Sequence, residues 1–137
     1  MKGMLLPALA LTAALLTSLA GAANAQVAGD ATAGAEVFQH QCAMCHKVGP
    51  DAANSVGPVL NGIIGRKAGS YPDFGYSPQN KNFPVTWDAT TLTRYLKSPK
   101  SYIVGTKMFF DGLPSPKDIA DVIAYLAEFD IKGSKKQ

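Results

Sequence analysis

Apolar residues recur at helical spacing in three separate stretches of the chain, each introduced by a capping residue. Asp30 can cap a first helix that runs toward Cys42 with Ala33, Val37 and Phe38 on its apolar face. Asp88 can cap a second, which carries Leu92, Tyr95 and Leu96 on one stripe. Pro99 disfavours helix at Ser98, so this element should run for about ten residues. The third has Ser115 as cap, Pro116 at the first helical position and Asp118 in the first turn, followed by Ile119, Val122, Ile123 and Leu126. It should end near Phe129, leaving residues 133–137 as a short polar tail that is expected to fray. Between His46 and Trp87 lie about forty residues rich in Gly, Pro, Asn and Ser that show neither a helical nor an alternating period. Three short helices bury too little to hold so long a loop, whose backbone polar groups all need partners. A large planar apolar cofactor at the centre would reconcile the few helices with the long wrapping loop.

The N-terminus is a different object. Met1 and Lys2 precede an apolar run over residues 4–19, and Ala23-Asn24-Ala25 stands before Gln26. This pattern predicts a Sec-type signal peptide over residues 1–25, with cleavage after the A-x-A site, and a domain over residues 26–137. An uncleaved anchor is the alternative, since residues 4–23 are long enough to cross a bilayer. The short connection through residues 26–29 weighs against it, because a tethered domain needs a longer linker. The leader is not the Arg- and Ser-rich presequence of organelle import, so the expected location is the bacterial periplasm. Nothing later in the chain could span a membrane.

The full chain of 137 residues carries 13 Lys plus Arg against 10 Asp plus Glu, and loss of Lys2 with the leader lowers the formal charge from +3 to +2. A near-neutral chain of this size is one small globular domain and excludes a nucleic-acid-wrapping role. Two cysteines three residues apart make no disulfide framework, so they must serve a local purpose.

That purpose is readable in Cys42-Ala43-Met44-Cys45-His46, the C-x-x-C-H pattern of covalent haem c attachment. Cysteines at i and i+3 face the same way, so both thiols can add to the vinyl groups of one haem. The following His46 is then carried under the ring as the proximal iron ligand. A thioredoxin-like redox pair would need a βαβ context, whereas helical sequence precedes the motif. A structural zinc site would need four ligands, and the one further candidate, His40, lies two residues before Cys42 in a crowded spacing.

For the second axial position, Met1 and Met4 depart with the leader and Met44 lies inside the attachment motif, leaving Met108. Gly105-Thr106-Lys107 gives it a flexible approach, but by itself Met108 reads equally well as a filler of the core. His40 is tethered within a turn of Cys42 and reads as a surface residue. A thioether ligand favours Fe(II) and raises the reduction potential. It would also close both axial positions, leaving only electron transfer through the haem edge; an open position would point to O2, peroxide or NO chemistry.

With these residues in place, the chain resembles the class I c-type cytochromes, the group of mitochondrial cytochrome c and bacterial cytochrome c2. The resemblance runs from Gly29-Asp30 to about Ile131. It rests on the CAMCH motif, Gly57-Pro58-x-Leu60-x-Gly62, Gly65-Arg66-Lys67-x-Gly69, Tyr76 with Asn80-Lys81-Asn82, Thr86-Trp87, Tyr95-Leu96 before Pro99-Lys100, Tyr102-Ile103-x-Gly105-Thr106-Lys107-Met108, and Tyr125-Leu126. It implies an all-α, single-domain fold of three main helices and long loops wrapped around one haem c held by Cys42 and Cys45, with His46 and Met108 on the metal. Pro58 is implied to accept the free N–H of His46 on its carbonyl. Tyr76 and Trp87 are implied to hydrogen-bond a buried haem propionate and Arg66 to offset its charge, while Tyr95, Thr106 and Asn80 form a polar network beside Met108. Without the resemblance, Trp87 and Tyr95 are core aromatics, Arg66 a surface charge and Pro58 a turn proline.

Lys67, Lys81, Lys97, Lys100 and Lys107 are implied to steer docking onto acidic redox partners at the exposed haem edge, although each also reads as ordinary solvated surface. Asn54 departs from the pattern, since many relatives carry a bracing His there, so the brace is weaker or made differently. The loops lack the insertions of some bacterial c2 proteins. The implied function is that of a soluble, monomeric electron carrier and not an enzyme, passing one electron from a donor such as a quinol-oxidising membrane complex to an acceptor. A docking module bound to one dehydrogenase, or a gas sensor or peroxidase with Met108 off the iron, are the alternatives.

Overall fold

The computed structural model describes residues 28–137, so the expected leader over residues 1–25 lies outside the described residues. Five helices follow in order: α1 (Ala31–Gln41), α2 (Pro78–Lys81), α3 (Ala89–Lys97), α4 (Pro99–Tyr102) and α5 (Pro116–Ala127). Three of them, α1, α3 and α5, are the three that the sequence pattern predicts. Among the described residues the only β pairing is two isolated bridges, Lys67 with Thr86 and Phe129 with Lys135. No described helix is long and apolar enough to cross a membrane.

The caps form as their chemistry requires. The Asp30 carboxylate accepts from the backbone N–H groups of Thr32 and Ala33 at the start of α1. At α3 the pairing is reciprocal: the Thr91 N–H donates to Asp88 Oδ1 (2.7 Å) and the Asp88 N–H donates to Thr91 Oγ1 (2.8 Å). Ser115 caps α5, which buries Ile119, Val122, Ile123 and Leu126 on one face.

The two short helices escape periodicity because four residues cannot show a stripe. Pro99, expected only to stop α3, also starts α4. It keeps Ser98 out of the helical region, at φ −158° and ψ 81°, and its own fixed φ suits a first helical position. Ser77-Pro78 opens α2 in the same way that Ser115-Pro116 opens α5.

Helix α1 packs on α5 at very short range. A Cβ added to Gly34 would stand 1.9 Å from the carbonyl oxygen of Asp121, so only glycine fits there. The buried face of α1 is accordingly Gly34 and Phe38, with Ala33 and Val37 half-buried. Asp121, 2% exposed, ties this crossing together: its Oδ1 accepts from the Asp30 N–H (2.8 Å) and its Oδ2 from the Lys117 ammonium (2.5 Å). These two donors, Lys117 foremost, hold its carboxyl below the ordinary carboxylate range.

The long middle segment is irregular, as expected, and its polar groups are satisfied by pairing across the loop. The Gly65 N–H donates to the Trp87 carbonyl (2.7 Å), the Trp87 N–H to that of Arg66 (2.9 Å) and the Ala68 N–H to that of Val85 (2.8 Å). Asn54 supplies a brace of its own: Nδ2 donates to the Pro72 carbonyl (2.9 Å) and Oδ1 accepts from the Val59 N–H (3.1 Å). One expectation is overturned. The tail after α5 does not fray, because the Lys136 N–H donates to the Glu128 carbonyl (2.7 Å) and the Asp130 N–H to that of Ser134 (2.9 Å), and Gly133 is buried. Backbone pairing and a glycine turn hold it, and neither produces an apolar period.

Candidate functional site

Helix α1 delivers the attachment motif to the edge of an apolar slot. The helix stops at Gln41, so Cys42 and Cys45 lie in the turn beyond it and not on the helix itself. The i to i+3 relation survives because the Cys45 N–H donates to the Cys42 carbonyl (3.0 Å), and both thiols are free and line the slot. Burial, and then the neighbouring Cys45, push the Cys42 thiol up to about 11, so it is protonated at neutral pH.

His46 is fixed on two sides. Its Nδ1 lies 2.8 Å from the Pro58 carbonyl, which sets the proton on Nδ1 and leaves Nε2 with its lone pair. Its ring rests on Gly57, where a Cβ would stand 2.4 Å from Cε1. Burial lowers the imidazole pKa, against the raising effect of Pro58 and with a smaller lowering from Arg66, so the ring is neutral at pH 7. Gly57 was visible in the motif but not its task, because close approach leaves no signal in residue type beyond the glycine itself. Gly57→Ala is expected to destabilise the holoprotein by about 1–3 kcal/mol, because the loop or the imidazole must move. A chemical denaturation curve checks this, and an unchanged midpoint would mean that the loop yields freely.

Met108 enters the same slot from the segment after α4. The Tyr95 hydroxyl, carried by α3, donates to Met108 Sδ (3.2 Å), and the Met108 N–H donates to Thr106 Oγ1 (3.3 Å). Gly105 turns the backbone with φ +88° against the side chain of Gln79, and the Lys107 ammonium donates to the Gly75 carbonyl (3.2 Å). Thus α3 and the α2 region together hold the approach to Met108.

The remaining predicted residues come together here as well: Pro58, Arg66, Tyr76, Asn80, Trp87, Tyr95 and Thr106 all line the slot. Arg66 is more than a surface charge. It donates to the carbonyls of Asn61 (2.9 Å) and Val59 (3.0 Å) and lies over the Tyr71 ring at 4.9 Å. Burial lowers its pKa, and no carboxylate pairs with it among the described residues. The Tyr76 hydroxyl accepts from the Tyr71 N–H (3.3 Å), and burial chiefly raises its pKa. Periodicity marked Leu92, Leu96, Val122 and Leu126 as core; these positions also wall the slot.

All five lysines expected to steer docking are exposed, and Lys67 and Lys107 stand at the slot itself. Lys100 is engaged already, paired with Asp111 at 2.6 Å and 5.9 Å from the ring of Phe109, which is 98% exposed.

The family model described as cytochrome c matches residues 31–130. The chain belongs to the cytochrome c family. It is 53% identical over 110 residues to cytochrome c2 of Rhodomicrobium vannielii, covering 80% of this chain and 87% of that one. Cytochrome c2 of Blastochloris viridis is 45% identical, with 86% and 92% covered, and cytochrome c of Cannabis sativa is 50% identical, with 73% and 90% covered. The similarity therefore extends to both branches of the group.

As a member of this family the protein is a small electron-transfer haem protein, with one haem c attached through Cys42 and Cys45. The residues present fit that group. Two adjacent free thiols meet a slot walled by aliphatic and aromatic side chains, and a half-buried guanidinium without a carboxylate partner suits an acidic substituent.

Proposed function

We propose that this cytochrome is a soluble, monomeric carrier of the bacterial periplasm, exported by its leader over residues 1–25. It shuttles single electrons between membrane complexes of respiration or photosynthesis, or dehydrogenases, with His46 and Met108 as the two axial ligands. The observation that carries this reading is that His46 and Met108 line one slot with both attachment cysteines, each already oriented by a neighbour, Pro58 and Tyr95 respectively.

Haem c, once attached, supplies the one-electron couple. The chain's own residues set its surroundings. Pro58 holds the His46 proton on Nδ1 and makes Nε2 the donor nitrogen. The Tyr95 hydroxyl orients the Met108 thioether, and the apolar walls from α3 and α5 exclude water, which limits reorganisation when charge changes. Trp87, Tyr76 and Arg66 would hold a propionate of the bound haem, and Asn80 and Thr106 would complete the polar side near Met108. Lys67, Lys81, Lys97 and Lys107 steer the rim toward acidic partner surfaces, with Lys100 contributing less because Asp111 neutralises it.

The test is the visible spectrum of the reduced holoprotein at neutral pH, before and after carbon monoxide is added. A low-spin spectrum that does not change supports closed ligation by His46 and Met108. A prompt shift would show an open position and would replace the carrier with a sensor or peroxidase.

A further inference from the structure

Electron transfer at the slot gives the chain beyond α5 no task, yet that chain is folded back and wedged. The Asp130 carboxylate accepts from the N–H groups of Lys132 (2.8 Å) and Ser134 (2.9 Å), and Glu128 pairs with Lys135 (2.7 Å). This tight return drives residues 131–133 against the loop that follows His46. Gly133, buried and at φ +83°, comes so close that a Cβ on it would stand 2.1 Å from the Gly49 carbonyl oxygen and 2.6 Å from Asn61 Nδ2. On the other side, a Cβ on Gly62 would stand 3.0 Å from Ile131 Cα.

What the wedge covers is the clasp of the proximal loop. Asn61, 3% exposed, grips both polar groups of Gly49: the Gly49 N–H donates to Oδ1 (2.9 Å) and Nδ2 donates to the Gly49 carbonyl (2.8 Å). The Leu60 N–H donates to the Lys47 carbonyl (3.0 Å), one residue after His46. Arg66 adds its bonds to the carbonyls of Asn61 and Val59. Pro58, whose carbonyl orients the imidazole, therefore sits in a loop closed at residues 47 to 61, and the tail shields that closure from water. Exposed to solvent, the Asn61 amide and Gly49 would exchange their mutual bonds for bonds to water at little cost, and the loop would open more often.

We propose that residues 131–133 are a positioning wedge for His46, holding the Pro58 carbonyl on Nδ1 through the Gly49–Asn61 clasp. The inference rests on the reading of His46 as an axial ligand. A weaker hydrogen bond at Nδ1 makes the imidazole a poorer donor, so loss of the wedge raises the reduction potential.

The experiment compares three holoproteins with the parent: a chain ending at Asp130, the full-length Gly133→Ala variant, and Lys132→Gln as a control that changes an exposed side chain of the wedge and leaves its backbone contacts in place. NMR follows solvent exchange of the His46 Nδ1 proton and of the amides of α1, α3 and α5, and potentiometry follows the midpoint. Truncation and Gly133→Ala are expected to speed exchange at His46 by about tenfold and to raise the potential, with helix amides unchanged and Lys132→Gln like the parent. Should the truncated chain fail to fold, Gly133→Ala decides alone. Parent-like exchange at His46 overturns the proposal, and so does an equal acceleration at every amide, which marks general destabilisation. If the His46 ring of the parent shows no shift from a bound iron, the ligation reading itself fails, an outcome seen without any variant.

Discussion

A chain carrying Cys42→Ser together with Cys45→Ser is expected to be recovered without covalent haem and with much of its native helix lost. Serine offers no sulfur to form the thioethers, so nothing holds the cofactor in a chain too small to enclose it by packing alone. The consequence for the fold follows from the walls of the slot. Leu60, Ile63, Trp87, Leu92, Leu96, Val122 and Leu126 all face it, and they come from the middle loop, α3 and α5 alike. Each fully buried side chain of this kind contributes about 1.5–3 kcal/mol, so losing even a third of that from seven of them is on the order of 5 kcal/mol. A domain of this size is stable by roughly 5–15 kcal/mol in all. The α1 and α5 pair, fastened through Gly34 and Asp121, is the part expected to persist as residual helix. Haem absorbance per chain and far-UV circular dichroism at neutral pH check both statements. Parent-like ellipticity with a cooperative thermal transition would mean that the slot is not the centre of the core.

The second large effect is expected from Met108→Ala. With the thioether gone, the reduced holoprotein should bind carbon monoxide promptly, and the midpoint potential should fall by on the order of 0.1 V or more, within the ~0.8 V that axial ligands command. The sign follows from the softness of the thioether, which favours Fe(II); water or hydroxide in its place favours Fe(III). Tyr95 would lose the acceptor of its hydroxyl, which costs about 1 kcal/mol in stability on top of the vacated side-chain volume. Carbon monoxide titration and potentiometry read the two outcomes separately. A variant that ignores carbon monoxide and keeps the parent potential would assign the position to another residue.

Much of this molecule is written locally. The helices α1, α3 and α5 were legible because each pairs a capping residue with an apolar stripe, both of which depend on neighbours a few positions away. The attachment motif was legible because five consecutive residues carry the chemistry. Met108 stands out in the sequence only as the methionine outside the leader and the attachment motif and through the resemblance, and its hydrogen bond from Tyr95 spans thirteen residues that no local rule connects.

One expectation failed, and for a tertiary reason. Residues 133–137 looked like a free polar tail because nothing in their composition reveals that Gly133 docks on Gly49, more than eighty positions earlier. Arg66 reads as surface only without the resemblance, because its acceptors are backbone carbonyls, which every residue possesses and which therefore leave no trace in residue type. For Asn54 two outcomes stood open, a weaker brace or one made differently, and its amide, which reaches Pro72 and Val59, makes it differently.

The sequence by itself thus determined the haem attachment chemistry, the three main helices and the small all-α class, since each is encoded in short-range spacing and side-chain type. Only the tertiary structure decided which imidazole nitrogen of His46 is left to donate, what Arg66 and Asn54 hold, and why the tail lies against the proximal loop. Those features are contacts between distant segments, and their formation depends on backbone groups and on glycine clearances that become visible only when the chain is folded.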